Sequence, residues 1–179
     1  MTRPTQPDKP DQPGGGLRLA GTIASLTSDS SYVRRARMRD VDRILEVIST
    51  YVAAHVLLPR TREEIAEAIE TWQVGDLNGE VVGCAALRDF GGGLGELRSL
   101  SVVPEAHGRG LGESLVHAVV RDARKHGITR LFAITRNPGY FARHGFTELP
   151  LGEVPGVLHA DRVPWPARSG AGHAMELDL

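Results

Sequence analysis

Cysteine is almost absent from this sequence. The 179-residue chain has one, Cys84, so no disulfide forms within it and no cysteine-rich zinc site exists. Cys84 lies in the apolar run 81–87, where a small core residue is a better account than a nucleophile. No apolar run reaches the roughly 18 residues of a membrane-crossing helix, and the first residues lack the apolar stretch of a secretory signal. The expectation is a cytoplasmic chain with no membrane partner. Charge of one sign is also lacking. Lys and Arg number 21 against 22 Asp and Glu, a formal net charge of −1, which argues against bulk electrostatic binding to nucleic acid. His107, His117, His126, His144, His159 and His173 are scattered without metal-ligand spacing, so no metal is expected. The hydrophobic share of 41% and charged share of 24% belong to a globular chain, long enough for one domain with its own core.

What is present is unevenly placed. Pro4, Pro7, Pro10 and Pro13 recur every third residue and lead into Gly14, Gly15 and Gly16. Such a segment buries little, so residues 1–30 read as a disordered or extended tail. Residues 31–179 then read as a single domain. A first strand is expected near Tyr32, followed by a helix capped by Asp40 with a core stripe at Val41, Ile44, Leu45, Ile48 and Val52. Thr61 and Glu64 have capping-box spacing before an apolar stripe at Ile65, Ile69 and Trp72, which predicts a second helix. Arg60 stands just before it. A helix N-terminus repels cations, so Arg60 is either a solvated loop residue or a ligand for an anion.

Asn78-Gly79 is a strong hairpin signal between strands at 74–77 and 80–87. Gly91, Gly92 and Gly93 mark a looser turn before a third strand, 94–103. That strand runs into the stretch that dominates the chain. Pro104 ends it, Gly108, Gly110 and Gly112 follow at alternate positions, and a helical face of Leu111, Leu115, Ala118, Val119 and Ala123 begins. A strand, a glycine-rich turn and a helix start turn several N–H groups into one hollow, and the helix dipole adds positive potential there, so phosphate is the expected occupant. The spacing is neither a Walker A loop nor a dinucleotide fingerprint. The helix stops at His126-Gly127. A strand over 129–135, a short helix over 138–144, a strand from Phe146, an irregular excursion rich in Pro and Gly, and a closing strand over 173–179 complete the order β-α-α-β-β-β-α-β-α-β-β.

Val102, Val103 and Pro104, with Gly110 and Gly112 after them, resemble motif A of the GNAT superfamily of acyl-CoA N-acyltransferases. His107 stands where that family usually has Arg or Gln. Further pieces extend the resemblance over roughly residues 32–150: Leu57-Leu-Pro-Arg60, Asn78-Gly-Glu-Val-Val-Gly-Cys-Ala-Ala-Leu87, Leu94-Gly-Glu-Leu-Arg-Ser-Leu100 and Tyr140-Phe-Ala-Arg-His-Gly-Phe146. Together these are similar to the short, stand-alone N-acetylglutamate synthase type. The resemblance implies an α/β GNAT fold, a mixed central sheet with splayed parallel strands flanked by helices. It implies acetyl-CoA as co-substrate and the α-amine of an amino acid as acceptor, glutamate first, in arginine biosynthesis. Glutamine, a peptide N-terminus or another small-molecule amine are alternative acceptors, and a GNAT-fold module that binds acyl-CoA without catalysis is an alternative of another class. Many GNAT enzymes form homodimers; no feature of this sequence marks one.

The same resemblance nominates the site. Gly108, Arg109, Gly110, Leu111, Gly112, Glu113 and Ser114 are expected at the CoA phosphates. Leu100, Val102 and Val103 are expected along the pantetheine arm, with Asn137 and Phe141 at the end of the next strand. Glu96, on the strand leading to the loop, is the candidate base; a surface or salt-bridged glutamate is the alternative. Arg98, two residues on, shares its face in a regular strand. Arg98 and Arg60 are candidate clamps for a substrate carboxylate. Many GNAT enzymes have a proton-donating Tyr at the position of Phe141. Tyr140 is the nearest candidate acid, and one residue along a helix turns a side chain by ~100°. Relatives often carry cysteines in the C-terminal excursion, and this chain has none there.

Overall fold

The computed structural model describes residues 30–54, 56–160 and 172–179. The expected tail, up to residue 29, and residues 161–171 of the excursion lie outside them. The elements are β1 (Ser31–Arg35), α1 (Val41–Ala53), α2 (Arg62–Glu67), β2 (Trp72–Leu77), β3 (Glu80–Gly91), β4 (Leu94–Val102), α3 (Leu111–Lys125), β5 (Arg130–Thr135), α4 (Pro138–Ala142), β6 (Thr147–Leu149), α5 (Val157–Ala160) and β7 (His173–Asp178). The strands make one sheet in the order β1-β2-β3-β4-β5-β7-β6. The mixed α/β architecture is the expected one.

Each face of the sheet is closed by helices whose apolar stripes the sequence displayed. On one face Leu115, Val116, Val119 and Ala123 of α3 pack on Leu97, Leu131, Ala133 and Met175, with Phe141 and Phe146 beside them. On the other, Val41, Ile44, Val47 and Ile48 of α1 and Ile65 of α2 pack on Trp72, Val74, Cys84 and Ala86. Burying one such Leu or Ile side chain contributes about 1.5–3 kcal/mol. A smaller cluster of Phe132, Val154, Leu158 and Ala174 closes the sheet near α5.

Two local expectations are corrected. The Asp40 carboxylate does not cap α1. It accepts the Arg37 N–H at 2.8 Å and both terminal nitrogens of Arg34, at 2.7 and 3.0 Å. The Arg34 guanidinium holds that carboxyl below its usual range. The second helix also stops early, at Glu67. Its Thr61–Glu64 capping box forms as expected, but the chain then makes a single 3₁₀ turn, Ile69–Thr71, and Trp72 opens β2. Pairing with Ala86 carries the Trp72 ring into the core at 1% exposure, and that burial outweighs continuation of a short helix.

The arrangement that makes a site possible lies in the middle of the sheet. β4 and β5 are parallel neighbours, yet they pair only at Leu94↔Arg130, Gly95↔Leu131 and Glu96↔Phe132. Beyond Glu96 each strand keeps its outer partner, β4 with β3 and β5 with β7, so the two part. A register shift in β4 accompanies the parting: Ala86 pairs with Arg98, whereas Cys84 pairs with Ser101. Ser99 has φ +57°, a left-handed conformation that is strained for a residue with a Cβ. The bulge is tied from within. The Ser101 hydroxyl donates to the Ser99 carbonyl at 3.3 Å, and the Cys84 thiol lies 3.7 Å from the same oxygen. Bulges bend a strand and increase its twist; here the bend opens the side facing β5. It also breaks the two-residue alternation, so Leu97, Leu100 and Val102 all meet the α3-side core.

Candidate active site

The glycine-rich turn has the backbone form its spacing implied. Pro104–Ala106 makes one 3₁₀ turn after β4. Gly108 and Gly110 then take φ +77° and +74°, and a Cβ at either would meet only open space. Conformation, not crowding, therefore requires glycine there. Gly110 is the N-cap of α3 and supplies no side-chain cap. The first N–H groups of the 15-residue α3 are left open at its positive end, a fit for the phosphates of a CoA-type ligand. Arg109, Glu113 and Ser114 are exposed around this end, and Leu111 is buried beneath it.

The parting of β4 and β5 lies at the same end of the sheet as this loop. Leu100 lies on β4 past the bulge. Val102 is less open than expected, because its carbonyl accepts from the Tyr51 hydroxyl and has His107 Nε2 at 2.7 Å. The Val103 N–H donates to Val82 at 2.8 Å. Asn137 caps α4, its side-chain oxygen accepting the Tyr140 N–H at 3.2 Å. Phe141 is 6% exposed and packs in the α3-side core against Phe146. Tyr140, one ~100° step away on the helix, packs at the edge of the same core, with its ring 5.5 Å from that of Phe141, centroid to centroid. A Cβ on Gly112 would lie 2.8 Å from its hydroxyl, so the missing side chain makes room for the phenol against the start of α3. The hydroxyl is buried and has no hydrogen-bond partner. Burial, then the nearby Glu113 carboxylate, raises its pKa.

On the opposite face of β4 the arginines meet. Arg60, Arg88 and Arg98 line a pocket of about 510 Å³ together with Glu64, Glu67 and Ala68. Nε of Arg60 and Nε of Arg98 are buried without an acceptor. Burial, with Arg60 and Arg88 adding like charge, pushes Arg98 down to about 10; burial also lowers Arg60. Crowded guanidinium groups such as Arg60 and Arg98, each with a buried Nε that lacks an acceptor, are stabilised by an anion, and a carboxylate matches their fork. Glu96 lies on the Arg98 face, in the last residue pair before β4 and β5 part, and is 3% exposed. The structure therefore brings together Arg60 and Arg98, with Glu96 adjoining on the same strand face. Tyr140 and the glycine loop belong to the α3 side of the opening.

Sequence reasoning missed Arg88, Glu67 and Tyr51. Pairing outward from the turn at Gly91–Gly93 sets Arg88 opposite Glu96, so that residue was within reach of a register argument. Glu67 and Tyr51 carried no local signal. No helix among the described residues is long and apolar enough to cross a membrane.

The chain is 40% identical over 120 residues to the amino-acid acetyltransferase of Mycobacterium tuberculosis, covering 65% of this chain and 68% of that one. It is 36% identical over 137 residues to the amino-acid acetyltransferase of Ralstonia nicotianae, covering 75% of this chain but 30% of that longer protein. In structure it is similar to the N-acetylglutamate synthase of Neisseria gonorrhoeae solved with coenzyme A and N-acetyl-glutamate. The TM-score is 0.76 at 30% identity, over 84% of this chain and 35% of the synthase. It is also similar to a Mycobacterium tuberculosis protein solved with CoA, with a TM-score of 0.70 at 32% identity over 82% of this chain and 98% of that one. Residues 38–152, well over half of the chain, match the Acetyltransferase (GNAT) family, and the chain belongs to that family.

Proposed function

We propose that this chain transfers acetyl from acetyl-CoA to the α-amine of an amino acid, with L-glutamate as the first candidate acceptor. The observation that carries the reading is the pocket lined by Arg60 and Arg98, each with a buried Nε that lacks an acceptor, on the strand face that also carries Glu96, where the central strands part. A substrate with two carboxylates suits two guanidinium groups. The relatives named amino-acid acetyltransferase, and the synthase solved with coenzyme A and N-acetyl-glutamate, support it. Residues 31–179 act as one catalytic domain in this reading. A cytoplasmic setting and a place in arginine biosynthesis belong to the same reading and rest on the same likeness.

The residues divide the work by position. Backbone N–H groups from Gly108 to Ser114 hold the phosphates, with Arg109 as an added cation. The gap beyond Glu96, bounded by Leu100 on β4 and reached by Asn137 beyond β5, takes the pantetheine arm and lays the thioester beside the pocket. Arg60 and Arg98 fix the substrate carboxylates, so the amine meets the thioester in line. Glu96 accepts the proton the amine sheds as its nitrogen bonds to the acetyl carbon, directly or through one water. The carbon–sulfur bond then breaks, and Tyr140 gives its proton to the departing sulfur.

The deciding assay is CoA release from acetyl-CoA with a panel of amino acids. Turnover with glutamate, above that with glutamine, is expected. Tight acetyl-CoA binding with no turnover on any amino acid would leave another acceptor or a non-catalytic module. Tyr140→Phe tests the acid. A thiol leaves fairly readily as thiolate at neutral pH, its free pKa being about 8.5. The expected loss in kcat is therefore at most about a hundredfold, the low end for general acid catalysis, with acetyl-CoA affinity retained. An unchanged kcat at saturating substrate removes Tyr140 from the chemical step.

A further inference from the structure

We propose that Glu113, His117 and His144 bind one divalent transition-metal ion of the Zn²⁺ class. Glu113 and His117 are four residues apart on α3, one turn along the same helix face. His144 comes to that face from the turn after α4. One ligand atom from each of the three lies within 4.8 Å of the others, and the two imidazole rings stand perpendicular with centroids 5.8 Å apart.

Zn–N and Zn–O bonds of about 2.0–2.2 Å place tetrahedral ligand atoms about 3.4 Å apart. The ligand atoms therefore need to approach one another by about 1.4 Å at most, by the same bond lengths. Glu113 and His117 are exposed, so rotamer changes supply that movement without disturbing the core. Two imidazoles with one carboxylate select a borderline metal over Mg²⁺ or Ca²⁺, which prefer oxygen. Three protein ligands leave the fourth position to water. Among the described residues this is the group with such geometry. It went unseen in the sequence because His144 is distant along the chain and the Glu113–His117 pair alone is a common helical spacing. The location matters: Glu113 is in the first turn of α3, and the His144 ring lies 4.9 Å, centroid to centroid, from that of Tyr140. An ion here ties the phosphate-binding end of α3 to the segment that carries Tyr140.

The test is equilibrium dialysis of the full-length chain with Zn²⁺, repeated with His117→Gln, His144→Ala, Glu113→Gln and, as a control elsewhere on the surface, His126→Ala. Circular dichroism of each variant confirms folding; His117→Gln alters only an exposed side chain. The expected result is one ion per chain, with affinity falling at least about tenfold on loss of either histidine ligand and unchanged in His126→Ala. Co²⁺ in place of Zn²⁺ is expected to give visible ligand-field absorption that His117→Gln abolishes. Absence of saturable Zn²⁺ binding overturns the proposal. So does binding that folded His117→Gln and His144→Ala leave intact.

Discussion

Glu96→Gln is expected to lower kcat by about 10²–10⁴-fold, the range for removing a positioned general base. Glutamine keeps the size and much of the hydrogen bonding of glutamate and loses only its basicity, so folding and acetyl-CoA affinity should hold. Position singles this carboxylate out. Glu96 is the last residue of β4 still paired with β5, and a carboxylate there meets the amine as soon as the strands diverge. Its neighbours divide by face: Leu97 points into the α3-side core, while Arg98 shares the Glu96 face and lines the arginine pocket. The pH dependence separates a base from a structural glutamate. In the variant, rate should recover as pH rises, because more of the amine is neutral without help. A kcat within about threefold of wild type, far short of the range for a lost base, would assign the proton transfer elsewhere.

Arg98→Ala is expected to cost about 30- to 5,000-fold in kcat/KM, equivalent to the 2–5 kcal/mol for removing one partner of a buried charged hydrogen-bonded pair. Most of it should appear in KM for the amino acid, with KM for acetyl-CoA unchanged. The stability effect should have the opposite sign. Arg98 is buried beside Arg60 and Arg88, and that surrounding disfavours its charged form. Without substrate the variant is relieved of repulsion, so its Tm should equal or exceed that of wild type. Arg98→Lys keeps the charge without the planar fork and should fall between the two. An amino-acid KM untouched by Arg98→Ala would dismiss the arginine as a carboxylate ligand. A large drop in Tm would show that it supports the fold.

Much of this architecture was legible because local signals agreed with it. Asn78-Gly79 made its hairpin, Thr61 its capping box, and Gly127 ended α3 with φ +72°. The features that escaped were decided by pairing across the sheet. Trp72 followed a helical period and became a strand residue, because pairing with β3 buried its ring. No residue type in 94–103 announces a left-handed Ser99, so the bulge was invisible, although it shapes the opening beside Glu96. At the site, the glycine loop could be found from spacing alone, since backbone conformation there depends on residue type. The Arg60–Arg98 pairing needed the fold implied by the resemblance, and Arg88 needed the strand register.

Cys84 has a practical meaning for measuring turnover. Its sulfur is fully buried beneath the bulge, 3.3 Å from the Ser101 hydroxyl. Burial pushes the thiol up to about 12, far from the thiolate form that attacks disulfide reagents. As the sole cysteine of the chain, it leaves the folded protein silent to aromatic disulfide dyes. In a colorimetric reaction the colour then counts free CoA alone, with no protein background. A rise in colour with neither acetyl-CoA nor acceptor present would report unfolding, through the exposure of this one sulfur.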